Sequence, residues 1–173
     1  MTALDLTHAG LIRRAVRWLQ RTKNCAVVFS EVANVTAEIP DAIGWQASGS
    51  HVVECKASRS DFLRDRAKPH MRDEASGMGR QRWYLVPPGV AAETDVPSWC
   101  GLIVCKPRTI EIVKPAPWRD RWDVRHENTI LVSALRRHSF GALVSESGRF
   151  ETMRDRQKRQ EAEGLTSPYE VIW

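Results

Sequence analysis

Three side chains suited to hydrolytic chemistry stand at two positions in the first half of the chain. Asp41, preceded by Pro40, is separated by twelve residues from Glu54-Cys55-Lys56. Strand side chains alternate between two faces, so Glu54 and Lys56 would project from the same face of one strand. The neighbouring residues are apolar and predict a buried strand, where an acid and an amine are costly unless they have partners. This arrangement marks a candidate site.

Asp41 and Glu54 carry the oxygen ligands that a hard divalent cation prefers. If their strands are neighbours, roughly 4.8 Å apart, the two carboxylates can meet at one point. Mg²⁺ binds oxygen at about 2.1 Å and keeps several waters, so the two carboxylates and the backbone carbonyl of Cys55 would fill part of its shell. Lys56 could orient a water or stabilise charge on a phosphate oxygen. The pattern predicts a Mg²⁺ or Mn²⁺ site for phosphodiester hydrolysis.

Each of these residues also has a structural interpretation. Glu54 and Lys56 could form an internal ion pair, and Asp41 could belong to a turn, because Asp is common in turns. Glu31 ends the preceding predicted strand and could add a catalytic carboxylate or be a surface acid. Glu38 competes with it for the same role. Spacing alone leaves these alternatives open.

The elements that must position the site follow from hydrophobic periodicity. Helices are expected at residues 4–22, 58–68 and 128–139, with a charged helical stretch at 150–163. Strands are expected at residues 25–32, 39–45, 50–57, 82–87, 101–105 and 109–113, the last two as a hairpin. Ser58 and Asp61 fit a capping box, and Pro69 marks the end of that helix. The order predicts an α/β fold with a mixed β-sheet flanked by helices.

Length and composition favour one globular domain over residues 1–173. We expect its core at about 4–113 and a helical C-terminal extension at about 114–173. No apolar run approaches the roughly 20 residues that span a bilayer. The first residues resemble neither a signal nor a transit peptide, so an intracellular, cytoplasmic protein is expected.

The four cysteines and the net charge narrow the choice of ligand. The cysteines show no C-x-x-C spacing, which argues against a zinc site and favours free, buried thiols. Cys100 and Cys105 should point to opposite faces of their strand. The formal net charge of +5 favours an anionic partner, first of all a nucleic acid.

At Pro40-Asp41 and Glu54-Cys55-Lys56 the chain resembles the PD-(D/E)xK nuclease superfamily, which has the restriction-endonuclease-like fold. The predicted helix, three strands, helix and strand also resemble the core of that family. A closer likeness, best over residues 39–105, is to the MmcB-like DNA-repair nucleases and related phage-encoded proteins. It is carried by VVECKASRSDFLRDRAKP, GRQRWYLVPPGV and VPSWCGLIV. The resemblance does not extend to residues 115–173, whose function stays open.

The resemblance implies a Mg²⁺- or Mn²⁺-dependent nuclease acting on DNA in repair, recombination or phage biology. Asp41 and Glu54 would be metal ligands, Lys56 the catalytic lysine and Glu31 a weaker candidate. Many such nucleases pair to cut both strands, so a homodimer is also consistent with it. Asp61 is better explained as part of the helix cap.

Basic residues near the predicted site could hold the DNA backbone without reading its sequence. The candidates are Arg59, Lys68, Arg72 and Arg80. The alternative is a catalytically silent module of the nuclease fold that binds nucleic acid or inhibits a partner protein. If it inhibits a partner protein, the charged segment 149–163 would be the candidate surface, although a solvated helix is the better explanation of that segment.

Overall fold

A computed structural model describes residues 5–32, 38–68, 71, 73–137 and 162. The backbone groups into two compact units, Met1–Val132 and Ser133–Trp173. The first unit therefore extends beyond the predicted end of the core at residue 113. The single domain over residues 1–173 stays a prediction.

The described residues contain three α-helices, six strands and a short 3-10 turn at Glu93–Asp95. In chain order they are α1 His8–Arg21, β1 Val27–Ser30, β2 Ala42–Gln46, β3 Gly49–Cys55, α2 Arg59–Arg66, β4 Gln81–Val86, β5 Cys100–Cys105, β6 Ile110–Lys114 and α3 Val124–Arg137. The predicted order of helix, three strands, helix and strand is confirmed. The predicted stretch 150–163 lies outside the described residues, Ala162 excepted. None of the described helices is long and apolar enough to cross a membrane.

Three predicted strands are shorter than expected, and all three corrections concern candidate site residues. Asp41 precedes β2 because Pro40 has no N–H to contribute to a ladder. Glu31 follows β1 in a left-handed conformation with φ of 50°, which ends that strand. Lys56 likewise stands just beyond the end of β3.

The six strands form one mixed sheet in sequential order. β1, β2 and β3 pair antiparallel, as do β5 and β6, whereas β3, β4 and β5 run parallel. The predicted hairpin of the last two strands is confirmed. Because β3, β4 and β5 are parallel, their carboxyl ends lie at one edge of the sheet, and the candidate site lies there.

Helix α1 covers one face of the sheet. Thr7 caps its N-terminus by accepting a hydrogen bond from the N–H of Gly10. Its buried residues recur at helical spacing and pack against inward-facing residues of β3, β4 and β5. The rings of Trp18 and Trp83 meet edge to face, with centroids 5.2 Å apart.

Helix α2 lies against the opposite face. Ser58 caps it and accepts from the N–H of Asp61, which confirms the predicted start of the helix. Phe62 packs edge to face on Tyr84, with ring centroids 5.0 Å apart. Asp65 follows Phe62 by three residues and is buried on the same side of the helix.

The cysteines behave as the sequence predicts. All four are free and buried. Cys100 packs on the face covered by α2, and Cys105 on the face covered by α1. The expectation of opposite faces is therefore confirmed.

Arg119 is a buried cation that organises the loop before β4. Its guanidinium donates to carbonyl oxygens of residues 74–79, among them Glu74 at 2.5 Å and Met78 at 2.7 Å. Its Nε donates to the carbonyl of Gly79 at 3.0 Å. Burial lowers the pKa of Arg119 to about 10, so the side chain stays charged at neutral pH. This loop fixes the start of β4.

We expect Arg119→Met to lower the free energy of unfolding by about 3 kcal/mol or more, because several buried carbonyls lose a charged donor. Arg121→Met is the matched control, since Arg121 is exposed, and it should change stability by less than about 0.5 kcal/mol. Urea unfolding followed by tryptophan fluorescence measures both. Equal stability of the two variants would contradict this role of Arg119.

Candidate functional site

Pairing of β2 with β3 brings the two halves of the motif together. Ala42 is registered opposite Val53, so Asp41 lies beside the end of β3. The N–H of Cys55 donates to Oδ2 of Asp41 at 2.7 Å. This hydrogen bond fixes the Asp41 carboxylate at the carboxyl edge of the sheet, next to Glu54.

The ammonium of Lys56 lies among three carboxylates. Its Nζ is 3.1 Å from Oε2 of Glu54, 3.0 Å from Oδ1 of Asp65 and 3.7 Å from Oδ2 of Asp41. Lys56 is only 5% exposed. The predicted set of Asp41, Glu54 and Lys56 is thus together in space, joined by Asp65.

Asp65 anchors this group to α2 and β4. Its Oδ1 lies 2.7 Å from Nζ of Lys68, in addition to its contact with Lys56. Its Oδ2 accepts a hydrogen bond from the hydroxyl of Tyr84 at 2.9 Å. Asp65 is 1% exposed and belongs to α2, so its contact holds Lys56 from the side of that helix.

Arg82 extends the charged group along β4. Its Nη1 donates to Oε1 of Glu38 at 2.5 Å and to the carbonyl of Met78 at 2.8 Å. Its Nη2 lies 3.6 Å from Oε1 of Glu54. Arg82 and Glu38 are both buried, so Glu38 is linked to the site through a guanidinium.

His8, at the start of α1, closes the outer side of the site. Its Nδ1 lies 3.1 Å from the carbonyl oxygen of Cys55, and its Nε2 lies 3.4 Å from Oδ1 of Asp41. The side chain is 46% exposed. His8 therefore stands between solvent and two of the predicted metal ligands.

The electrostatic environment shifts the pKa values of three members of the group. Burial raises the pKa of Glu54 to about 7, although Lys56 opposes this shift. Burial would lower the pKa of Lys56, but the carboxylates of Glu54, Asp41 and Asp65 hold it above its usual value. Burial would raise the pKa of Asp65, but Lys56 and Lys68 hold it below its usual range. At neutral pH, Lys56 is charged and Glu54 is near its midpoint.

The donor set fits a hard cation rather than a soft one. Asp41 and Glu54 offer carboxylate oxygens that contact the same Lys56 ammonium, and Asp41 and the carbonyl of Cys55 contact the same His8 ring. Oxygen is the ligand that hard cations prefer. Within the ranges that the structure describes, no three His, Cys, Asp or Glu side chains are arranged to hold a metal ion. A shell made of two carboxylates, one backbone carbonyl and waters does not need a third such side chain.

Other predicted residues lie apart from this group. Glu31 donates its backbone N–H to the carbonyl of Asp41 at 3.3 Å, but its side chain is exposed. No hydrogen bond or ion pair joins the Glu31 carboxylate to the part of the chain described. Its catalytic role stays a prediction.

The predicted nucleic-acid-binding residues are scattered. Lys68 borders the site through Asp65. Arg59 forms a two-pronged contact with Asp95, and Arg80 lies over the Trp118 ring at the amino end of β4, away from Lys56. Arg72 and residues 149–163, Ala162 excepted, lie outside the described residues. The structure does not gather Arg59, Lys68 and Arg80 into one surface.

Sequence reasoning missed Asp65, Arg82 and His8 as members of the site. Weak signals for two of them were present. Asp65 follows the apolar Phe62 by three residues, which places a carboxylate on the buried side of a helix. Arg82 alternates with Tyr84 and so faces the same side of β4. His8 carries no local signal, because its contact with Cys55 spans 47 residues.

Comparisons with known proteins bear on the fold alone. No protein-family model matches the chain, and no curated protein matches it. A solved structure described as "SPO1766 protein of unknown function from Silicibacter pomeroyi" is similar, with a TM-score of 0.57 and 23% identity. The likeness covers 84% of this chain and 97% of that one. It supports the α/β architecture with its mixed sheet.

The raised pKa of Glu54 predicts a pH-dependent stability. The folded state binds this proton more tightly than the unfolded chain, so the contribution is complete below pH 4.5 and is lost as pH rises through about 7. Glu54→Gln removes that proton equilibrium. Between pH 5 and pH 8, the free energy of unfolding of the native protein should fall relative to that of the variant by up to about 3 kcal/mol.

Chemical unfolding in EDTA at several pH values measures this difference. Glu93→Gln is the matched control, because Glu93 is exposed. The other titrating groups are the same in the native protein and in both variants, so their effect on the pH profile cancels. The pH profile of Glu93→Gln should run parallel to that of the native chain. A Glu54→Gln profile that also ran parallel would refute the raised pKa.

Proposed function

We propose that this protein is a divalent-metal-dependent nuclease that hydrolyses phosphodiester bonds of DNA. The observation that carries the proposal is the meeting of the Asp41 and Glu54 carboxylates around the ammonium of Lys56, at 3.7 and 3.1 Å. They lie at the ends of two paired strands. The same residues resemble the PD-(D/E)xK motif.

The order α1, β1, β2, β3, α2, β4 supports a restriction-endonuclease-like core. In that core the motif residues lie at the end of a strand that pairs antiparallel with one neighbour and parallel with the other. The net charge of +5 supports a nucleic acid as the partner. A cytoplasmic location would suit such a substrate.

Asp41, Glu54 and the carbonyl of Cys55 would hold Mg²⁺ or Mn²⁺. When bound, the ion would supply a water of lowered pKa and compensate charge that develops at phosphorus. Asp41 is held for this role by the N–H of Cys55. His8 would have to yield its contact with the Cys55 carbonyl.

Lys56 would act through its fixed positive charge. Asp65 holds it from the α2 side and is itself held by the Tyr84 hydroxyl, so the ammonium has little freedom to reorient. A preorganised cation of this kind stabilises negative charge on a phosphate oxygen without a reorganisation cost during the reaction. It can also orient the attacking water. Its raised pKa keeps it protonated at neutral pH, so in this proposal it serves by its charge.

One observation favours the alternative of a catalytically silent module. Glu54 is already compensated by two protein cations, Lys56 at 3.1 Å and Arg82 at 3.6 Å. A closed ionic network of this kind can be purely structural. Such a module would bind nucleic acid or a partner protein on the same fold without hydrolysis.

We expect the purified protein to nick plasmid DNA with Mg²⁺ or Mn²⁺ and to stop on addition of EDTA. Asp41→Asn and Lys56→Gln should each lower the rate by about 100-fold or more, because each removes charge needed in the transition state. Asp120→Asn and Lys106→Gln are matched controls on exposed residues and should cleave normally. Gel assays of nicked and linear plasmid measure the rates.

Asp41→Asn retains an oxygen that can accept from Cys55, so folding should be preserved and can be checked by circular dichroism. Electron paramagnetic resonance of Mn²⁺ then separates metal binding from catalysis. The Asp41→Asn variant should bind Mn²⁺ at least about tenfold more weakly. DNA binding that ignores EDTA, with no cleavage of duplex, single-stranded or branched DNA, would instead establish the silent module.

A further inference from the structure

A basic groove runs between the second half of α1 and the turn that joins β5 to β6. We call it the arginine groove. It has a volume of about 510 Å³. It is lined by Arg14, Arg17, Trp18, Arg21, Thr22, Pro107, Arg108, Thr109 and Ile110. Four of these side chains are cationic, and none is acidic.

Three of the arginines have no counter-charge among the residues that the structure describes. Arg17, Arg21 and Arg108 are exposed, and no carboxylate lies within 4 Å of their guanidinium groups among the residues that can be described. By contrast, Lys106 in the same turn is paired with Glu111, and Arg59 is paired with Asp95. The groove therefore concentrates uncompensated positive charge at one place, which attracts a polyanion.

Arg14 has a different task from the other three. Its guanidinium donates to the carbonyls of Lys106, Pro107 and Thr109 at 2.7, 3.1 and 3.0 Å. These bonds tie the β5–β6 turn to α1 and keep the two walls of the groove together. The groove is thus a preformed part of the fold, which reduces the ordering cost of binding a ligand.

The groove begins close to the candidate site and leads away from it. β5 lies two strand spacings, roughly 10 Å, from β3, and the register places Lys56 level with Val104. The β5–β6 turn extends three to four residues beyond that level at the same end of the sheet, so it lies roughly 15 Å from Lys56. Along α1, a rise of about 1.5 Å per residue places Arg14 about 9 Å and Arg21 about 20 Å beyond His8. At about 3.4 Å per nucleotide along one strand, this span corresponds to roughly three to six nucleotides.

The lining suits a phosphate backbone better than bases. Trp18 is only 5% exposed and packs on Trp83, so its face is not available for stacking. Arginines that contact phosphates give affinity without sequence choice. A small anion would not need three separate cations spread over a helix and a turn.

We propose that the arginine groove binds the phosphates of the substrate strand roughly three to six nucleotides from the bond that is cut. This inference rests on the proposed nuclease function and deepens it. It assigns the path of one strand along α1, and it makes a polynucleotide, rather than a mononucleotide or dinucleotide, the substrate.

The test compares two triple variants that each remove three positive charges. One replaces Arg17, Arg21 and Arg108 by Ala; the other replaces Arg64, Arg121 and Arg125, which are exposed and lie outside the groove. Arg14 is left unchanged because it holds the turn. Fluorescence anisotropy measures binding of a labelled DNA of about 20 nucleotides, single-stranded and duplex, in EDTA across a range of salt concentrations.

We expect the groove variant to bind at least about tenfold more weakly at low salt. The slope of log K against log salt should fall in magnitude by about two for single strands and nearly three for duplex. The control variant should keep most of the affinity. With Mn²⁺, the groove variant should cleave long DNA more slowly, and native protein should cleave a dinucleotide poorly.

Equal binding of DNA by the two variants would overturn the inference. A groove variant that loses binding of poly-glutamate but keeps binding of DNA would also overturn it, because the groove would then bind an acidic polypeptide instead of DNA. These outcomes are separate from those of the nuclease proposal. A native protein that binds through the groove but cleaves nothing would remove the nuclease function and leave the groove as a nucleic-acid site. Cleavage that is unaffected by the groove substitutions would keep the nuclease function and refute the groove as the path of the substrate strand.

Discussion

The buried ammonium of Lys56 is the constraint on which the arrangement of the site depends. Removing a cation from water costs several kcal/mol, and only close carboxylates can compensate that loss. Glu54 and Asp65 do so at 3.1 and 3.0 Å, with Asp41 slightly farther away. These acids come from β3, α2 and the start of β2. One charge therefore ties together three consecutive elements of the chain, between residues 41 and 65.

The network of buried charges also extends to the loop before β4. Arg82 joins Glu54 to Glu38 and also donates to the carbonyl of Met78. Arg119 donates to the same carbonyl at 2.7 Å and to its neighbours in the loop. The loop is thus held by two buried guanidinium groups, and the position of β4 is coupled to the electrostatics of the site.

The extent to which this site could be predicted follows from the range of the interactions. Strand periodicity and a short connection bring Asp41 to Glu54 and Lys56, because both effects are local in the sequence. Asp65 enters only after α2 docks on the sheet, and His8 only after α1 docks on the other face. Those dockings depend on packing between distant segments, which a single sequence does not display.

The errors at element ends have equally specific causes. The second strand starts after Pro40, which cannot donate to a ladder, and the first stops at the left-handed Glu31. The fold class and the order of elements depend on long apolar patterns and are robust to such details. The parallel pairing of β3, β4 and β5, which sets the edge that carries the site, had no local signature.

The proposed nuclease and the silent module share this geometry and differ in the charge state of one cluster. The carboxylates of the cluster are Glu38, Asp41, Glu54 and Asp65; its cations are Lys56, Lys68 and Arg82. With Glu54 protonated, the three remaining carboxylates balance the three cations, and the cluster needs no further ion. With Glu54 ionised, one negative charge is in excess, next to the Asp41 carboxylate and the Cys55 carbonyl. Since the pKa of Glu54 is raised to about 7, these two states lie close in free energy near neutral pH. A divalent cation would favour the ionised state, so the burial that stabilises the closed network also keeps the site close to accepting a metal.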